Sequence, residues 1–493
     1  MPESPASAVV KERYNLFRVE NGKRVQFESA DFRDLLAPWD HSRIASLGFM
    51  NEEQALENLA TLKRALDGKS AAPVSERIQI LKKAAKRVEE KKEIFADLIA
   101  WEGGKPLKDA KVEVARAINT IELAASEAGR FSGTEIPMRA TPAASGHLAF
   151  TFPEPVGVVL AISAFNHPLN LIAHQVAPAI ASGCPVMVKP ASETPLSCLH
   201  LLEEFYEAGL SPEMCLPLLS DNEVAETIAK SRDISFMSFI GSAKVGWYLR
   251  SVLHPGTRFS LEHGGSAPAI VDHSADLDQT IAKLIPGAFY HSGQVCVSVQ
   301  RIFVQESRMS EFTEKFVTFV RGLKVGDARL SETDCGPMIR VKDVARVAEW
   351  VDAAKSSGAK ILSGGKKISE TCYEPTVIAD VGPHEKVMKE EVFGPVVCIN
   401  SFKTLDEAIA RANETQWEFQ SAIFTSDLEA ALKASRNLKA SAVMINESTT
   451  FRVDWMPFRG DGPSGFGTGG IPYGMRDLLK EKMIVFRSPS FNL

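Results

Sequence analysis

The 493-residue sequence has no CxxC spacing, no repeat of fixed period and no low-complexity tract. Its seven cysteines, at positions 184, 198, 215, 296, 335, 372 and 398, are odd in number and scattered. That pattern argues against a disulfide framework and a thiolate zinc site, so no metal is expected and the compartment reads as reducing and cytoplasmic. Basic excess is also missing: 56 Lys and Arg face 62 Asp and Glu, for a formal charge of −6. Nucleic-acid binding driven by counterion release needs the opposite balance, so no nucleic-acid partner is expected. The longest apolar runs, such as residues 156–162, fall far short of the roughly 20 residues that span a bilayer. The opening MPESPASAVVKERY has no basic stretch leading into an apolar core, so neither a signal peptide nor a membrane association is expected. A GxGxxG dinucleotide fingerprint is absent too.

What remains is globular in texture, with 45% hydrophobic and 24% charged residues, and long enough for two or three domains. The first part reads as helices. Over 74–88, Ile78, Leu81, Ala85 and Val88 recur at three- and four-residue steps, the stripe of an amphipathic helix. From about residue 153 the pattern becomes short β-branched runs (VGVVLAIS, PVMVK, ISFMSFI), each followed by a loop and a helical segment. This alternation predicts an α/β fold with a parallel sheet. A helix is expected to begin near Leu196 and another to run near 276–290. A third, from Ser310, would put Phe312, Phe316, Phe319 and Leu323 on one face. After LEHGG the β-loop-α pattern resumes, placing a domain boundary near 264–266.

Three residues carry candidate chemistry. Cys296 stands just before an apolar β-type run in GQVCVSVQR; a lone free cysteine is most often a buried apolar residue, and context must decide. Glu262, in LEHGG, adjoins a glycine pair that permits close approach, and a carboxylate held in a desolvated cleft there suits a general base. Asn166, in AFNHP, follows a strand whose carboxyl end should open on a cleft; its amide suits an oxyanion, although an Asn turn before proline is the simpler reading of that residue alone.

Together with EPVGVVLAISAFNHP, GCPVMVKPASETPLS, SFIGSAKVG, EEVFGPV and SGFGTGGIPYGM, these segments resemble the aldehyde dehydrogenase superfamily from about residue 50 to the C-terminus. The closest-looking branch contains lactaldehyde and phosphonoacetaldehyde dehydrogenases. The resemblance implies a Rossmann-like cofactor domain (1–133 and 153–264), a catalytic domain (265–475) and a β-flap for oligomerisation (134–152 and 476–493), with a homodimer or homotetramer as the assembly. It implies NAD(P)-dependent oxidation of an aldehyde to a carboxylic acid. Cys296 would attack the aldehyde, with the Asn166 amide and the Cys296 N–H holding the oxyanion, and Glu262 would activate the water that hydrolyses the thioester.

By the same resemblance, Ile162, Ser163, Lys189, Ser192, Gly241, Ser242, Glu391 and Phe393 meet the cofactor. Lys189 would contact the adenosine ribose, Ser242 would head the pyrophosphate helix, and Glu391 and Phe393 would hold the nicotinamide end. Ser192 stands where NAD-specific relatives commonly carry glutamate, so NADP should be accepted at least comparably with NAD, unless Glu193 swings in to exclude it. Phe165, His167, His174, Val295, Val297, Phe451, Arg452 and Trp455 would line the entrance for a small polar aldehyde. Arg452 would pair with a carboxylate, phosphonate or hydroxyl of a short aldehyde, whereas Val295 stands where some phosphonate-handling relatives have a basic residue, which argues against an anionic substrate. Departures from the family pattern are Ile240, His263 and Gln175, which replace a threonine, a leucine and a lysine. Two other readings remain, a CoA-acylating enzyme and a catalytically silent member; a cysteine hydrolase would need a histidine partner for Cys296 and no dinucleotide.

Overall fold

The continuous apolar runs of the central chain are strands buried on both faces, the environment in which a parallel strand loses its alternation. In the computed structural model, which describes residues 4–27, 29–68 and 70–491, Val186–Lys189 is wholly buried and Val158–Ile162 nearly so. They belong to a sheet ordered Cys215–Pro217, Val186–Lys189, Val158–Ile162, Ile234–Ile240, Arg258–Glu262 and Gly465–Phe466. All neighbours are parallel except the last pair. A second sheet runs Lys360–Ser363, Thr376–Ala379, Val396–Phe402, Val299–Gln305, Ala267–Val271, Gln420–Phe424 and Ala442–Ile445. It is parallel apart from its first edge strand. The chain crosses between the two sheets over residues 263–266, where the glycine pair sits.

Helices cover the first sheet where the 3.6-residue period puts them. Val74–Glu90 buries Leu81, Ala85 and Val88 against Leu107–Glu127 and Asn170–Ser182. Leu196–Glu207 and Leu277–Phe289 form as expected, the latter capped by Asp276, whose side chain accepts from the N–H groups of Asp278 and Gln279. A third sheet pairs His147–Pro155 with Leu479–Arg487 along their whole length, with Glu135–Ile136 at its edge, and leaves Met483, Val485 and Phe486 about half exposed.

Two expectations are corrected. The first fifty residues are strands rather than helices: Arg13–Tyr14, Asp31–Leu36 and Arg43–Phe49 form one small sheet, and Leu16–Glu20 pairs with Lys23–Phe27. Long-range pairing decides these short charged segments, whose local pattern is weak. Phe319 is 60% exposed, because Phe312, Phe316 and Val320, at four-residue steps along Met309–Arg321, already fill the buried face. Late in the chain, two segments lie with the first sheet. Gly465–Phe466 pairs with Arg258–Glu262, and Ile471–Asp477 buries Ile471 and Met475 among the helices over that sheet.

Candidate active site

One helix, Leu107–Glu127, positions both loops that carry the reactive groups. Its Glu113, ion-paired with Lys105 and fully buried with it, accepts from the backbone N–H groups of Leu169 (2.9 Å) and Asn170 (3.1 Å). These are the free donors at the start of the helix that follows Asn166. Thr120 adds a hydroxyl bond to Asn170 Oδ1 at 3.1 Å. One turn from Glu113, Asp109 accepts from the N–H of His291 at 3.1 Å. His291 and Ser292 both lie in the left-handed region (φ 47° and 53°), a conformation that costs a non-glycine residue about 1–2 kcal/mol. The turn is held by the Asp109 contact, by Ser292 Oγ donating to Gly336 O (2.7 Å) and by Gln294 Oε1 accepting from Ile339 N–H (3.0 Å). It delivers Val295, Cys296 and Val297 to the floor of the main cleft.

That cleft has a volume of about 1110 Å³ and opens beyond the carboxyl ends of the first sheet's strands, where ligands of open α/β sheets bind. Cys296, Glu262 and Asn166 all line it, and of the seven free cysteines only Cys296 is not buried. Burial pushes the Cys296 thiol up to about 12, with the nearby carboxylates of Glu391 and Glu262 adding to the rise and Arg452 opposing it. Burial likewise raises Glu262 above the ordinary carboxylate range, again against Arg452. Glu391 rises to about 8 through burial, although the Gly265 N–H donates to its Oε1 at 3.2 Å and Arg346 stands near. A Cβ at Gly264 would collide with the Glu391 carboxylate, and one at Gly469 with that of Glu262. Asn166 Nδ2 donates to Gln294 O at 2.9 Å. Since the amide nitrogen carries two hydrogens, one remains for an oxyanion.

The residues expected at the cofactor come together along the same cleft: Ile162, Ser163, Lys189, Ser192, Gly241, Ser242, Glu391 and Phe393 all line it. The Ser163 hydroxyl is buried without a partner. Ser242 caps the Ala243–Val252 helix without a side-chain bond to it, so the first N–H groups of that helix are free of a side-chain cap. Lys189 is only 6% exposed; burial lowers its pKa, opposed by Glu193 and Asp221. Phe393, at φ 47°, meets Phe165 edge to face at 5.8 Å. The unsatisfied hydroxyl, the helix start and the volume fit a dinucleotide. Sequence reasoning missed Arg116, Tyr290, Arg340, Lys342, Arg346 and Trp350, which line the cleft from segments outside the quoted motifs or, for Tyr290, just ahead of one.

The departures have structural partners. Gln175 Nε2 reaches Ile162 O (3.1 Å), Ser238 O (3.1 Å) and Ser238 Oγ (3.0 Å), joining two strands behind the cofactor wall. His263 places Nδ1 at 2.9 Å from Pro463 O and packs edge-on against Phe239 and Trp247. Ile240 pairs with Glu262 in the strand register and lines the cleft.

Of the entrance residues, Phe165, His167, Val295, Val297 and Arg452 line the cleft. His167 stacks on Tyr290 (5.9 Å), and burial holds its ring far below the usual imidazole range, hence neutral. Three are corrected. His174 turns its Nε2 to Asp454 (2.8 Å), which also binds Arg116 (2.6 Å), while Phe451 and Trp455 are 47% and 53% exposed and stand outside the cleft wall. A hydrogen bond to Asp454 holds the histidine, and burial lowers its ring to a pKa of about 4 and so keeps it neutral. Arg452 makes no hydrogen bond or ion pair among the described residues; its guanidinium lies 3.6 Å over the Phe458 ring with Nε buried and unsatisfied. Among the described residues no cluster of side chains could hold a metal, and no helix is long and apolar enough to cross a membrane.

A half-buried thiol, two carboxyls of raised pKa and a side-chain amide, set in a cleft built for a dinucleotide, define an oxidoreductase that works through a covalent cysteine intermediate. Comparison with known proteins agrees: the aldehyde dehydrogenase family model matches residues 25–484. The chain belongs to the aldehyde dehydrogenase family. It is 36% identical over 459 residues to 3-sulfolactaldehyde dehydrogenase of Priestia aryabhattai, covering 93% of this chain and 95% of that one. Among solved structures, aldehyde dehydrogenase 21 from Physcomitrella patens, in complex with the reaction product succinate, superposes with a TM-score of 0.92. It is 34% identical, and the match covers 97% of this chain and 99% of that one. Glyceraldehyde-3-phosphate dehydrogenase from Methanocaldococcus jannaschii, complexed with NADP, gives a TM-score of 0.88 at 36% identity, over 92% and 99% of the two chains. The protein is thus an NAD(P)-dependent aldehyde dehydrogenase, an oxidoreductase with an α/β fold.

Proposed function

We propose that this enzyme oxidises a small aldehyde carrying an anionic group, a carboxylate or sulfonate, to the carboxylic acid. The single observation that carries this reading is Arg452, a guanidinium inside the cleft, stacked on Phe458, with no acid paired to it. A buried cation left unpaired is unfavourable unless the ligand supplies the counter-charge. Its neighbour Arg116 is already paired with Asp454, so Arg452 is the open anchor. Sulfolactaldehyde, succinate and glyceraldehyde 3-phosphate, the ligands in the names of the three relatives, are all anionic.

Burial holds the pKa of the Cys296 thiol high in the free cleft, and it attacks the carbonyl carbon as the thiolate once its proton has passed to solvent, leaving Glu262 ionised for the later step. The free hydrogen of the Asn166 amide and the Cys296 backbone N–H hold the oxyanion. A nicotinamide held at Glu391 and Phe393 would supply a hydride acceptor for the carbon bound to Cys296. Glu262 then takes a proton from the water that hydrolyses the thioester; its retention favours water over CoA as acceptor. Ser163, Lys189, Gly241 and Ser242 hold the dinucleotide, and Glu391 and Phe393 its nicotinamide end. Residues 134–152 and 476–493 form an oligomerisation flap for a homodimer or homotetramer, with the half-exposed Met483, Val485 and Phe486 as the covered face. The compartment is the cytoplasm, where free thiols stay reduced.

The test is a panel of anionic and neutral aldehydes of matched size, assayed by the absorbance of reduced nicotinamide with NAD and with NADP. The expected result is kcat/KM at least tenfold higher for the anionic members. Equal values across the panel overturn the anionic reading, and silence across it revives the catalytically silent alternative.

A further inference from the structure

At the Ser192 end of the cleft, two acids stand near the Lys189 ammonium, Glu193 and Asp221. Each is already neutralised by an arginine. Asp221 binds Arg33 through two contacts, at 2.6 and 2.8 Å. Glu193 Oε1 accepts from Arg340 Nε at 2.5 Å, and the Nη2 end of the same guanidinium stands equally close. Lys189 itself has no ion pair among the described residues and shares the cleft wall with a neutral, exposed Ser192. Glu193 does not swing free to replace the missing glutamate.

Arg340 reaches this edge from the opposite wall. It precedes the Val341–Ser356 helix, which packs on the second sheet, whereas Glu193 lies between Val186–Lys189 and Leu196–Glu207 of the first. The pair therefore straps the two halves together, and with Ser192 it lines both the main cleft and a second hollow of about 380 Å³. Glu193 occupies only the Nε and Nη2 side of the fork. The Nη1 end makes no hydrogen bond among the described residues, and its ion-pair contact is Asp343, 3.9 Å away. A planar guanidinium with five donors can hold a carboxylate on one edge and a phosphate on another.

We propose that Arg340 reads the 2′-phosphate of NADP: the phosphate lies beside Ser192 between the Lys189 ammonium and the Nη1 end of Arg340, while Glu193 keeps the fork in place. This rests on the reading of Lys189 and Ser192 as the adenosine-ribose edge. The strap aims a cation from the catalytic half at a group bound on the other half.

The experiment is calorimetric titration of the full-length enzyme with adenosine 2′,5′-bisphosphate, 5′-AMP, NADP and NAD, independent of turnover. Arg340→Met is expected to weaken the two 2′-phosphorylated ligands about tenfold or more, with the other two changed by less than about threefold. Arg340→Lys, which keeps the charge, should recover part of the loss. Glu193→Gln, which breaks the strap and leaves the guanidinium, should hold or tighten the 2′-phosphorylated ligands. Equal losses for all four ligands in Arg340→Met, repeated in Glu193→Gln, would show a purely structural strap and overturn the proposal. An unchanged Arg340→Met would overturn it too. Lys189→Met tests the underlying reading separately: if it weakens none of the ligands, the ribose edge lies elsewhere and the proposal falls with it.

Discussion

The two ends of the cleft are built on different physics. At the Cys296 end the loop is strained, clamped by Asp109, Gly336 and Ile339, and so dry that the thiol and both carboxyls are shifted upward. At the Ser192 end the side chains are more exposed and their charges are paired with one another, as Glu193 with Arg340 and Asp221 with Arg33. Desolvation makes groups reactive and geometry unforgiving, so the first end suits chemistry. Charges that face the ligand from both walls can attract one ligand and repel a close relative, so the second suits discrimination between related ligands.

If that division is right, substitutions of the groups that touch the reacting atoms should act on kcat, Arg452 at the same end should act on KM for the aldehyde, and the wet end should act on which dinucleotide binds. The largest effect is expected at Cys296: Cys296→Ala should bring turnover below detection. Glu262→Gln should still release a burst of reduced cofactor of about one equivalent and then stall. Wild-type turnover in that variant would remove Glu262 as the base. Because burial raises the Glu262 carboxyl, thioester hydrolysis in the wild type should rise with pH through a pKa above the ordinary carboxylate range, as the base ionises. A pH–rate profile of deacylation already flat at pH 5 would contradict the dry-end picture.

Next in size is Asn166→Ala, which should lower kcat about 10²- to 10³-fold with a smaller effect on KM, the signature of a lost oxyanion donor. A change confined to KM would place Asn166 in binding instead. Arg452→Leu should raise KM for carboxylated or sulfonated aldehydes about tenfold to a hundredfold, the range of one charge-assisted bond worth about 1.5–3 kcal/mol. Neutral aldehydes of equal size should be affected much less, and steady-state kinetics on matched pairs decides. The smallest effect belongs to the wet end. Ser192→Glu should reduce kcat/KM for NADP by about tenfold, a like-charge penalty near 1.4 kcal/mol, and leave NAD little changed. A wild type that ignores NADP at millimolar concentration would break the comparison at that end.

Residue order alone carried the sheet-helix alternation and the motifs around Asn166, Glu262, Cys296, Glu391 and Phe393. Period and turn chemistry are local properties, and those motifs are contiguous. The same local reasoning failed for Phe319, whose place on the apolar stripe was taken by Val320, and for the strands of 13–49, which exist only through pairing with distant partners. The family alignment put Phe451 and Trp455 at the entrance, whereas they are 47% and 53% exposed and absent from the residues that line the cleft with Arg452.

Residue pattern by itself determined the α/β alternation, because period and turn chemistry are short-range, whereas the oxidoreductase reading and the cysteine nucleophile came from the resemblance of contiguous motifs to the aldehyde dehydrogenase superfamily. Only the tertiary structure decided that Glu113 and Asp109 of one helix hold both reactive loops, that Arg452 forms no ion pair among the described residues while Arg116 does, and that Glu193 pairs with Arg340. Each of these is a choice of partner among charges far apart in sequence. Such choices depend on burial and on distances of a few ångströms, which no local pattern encodes.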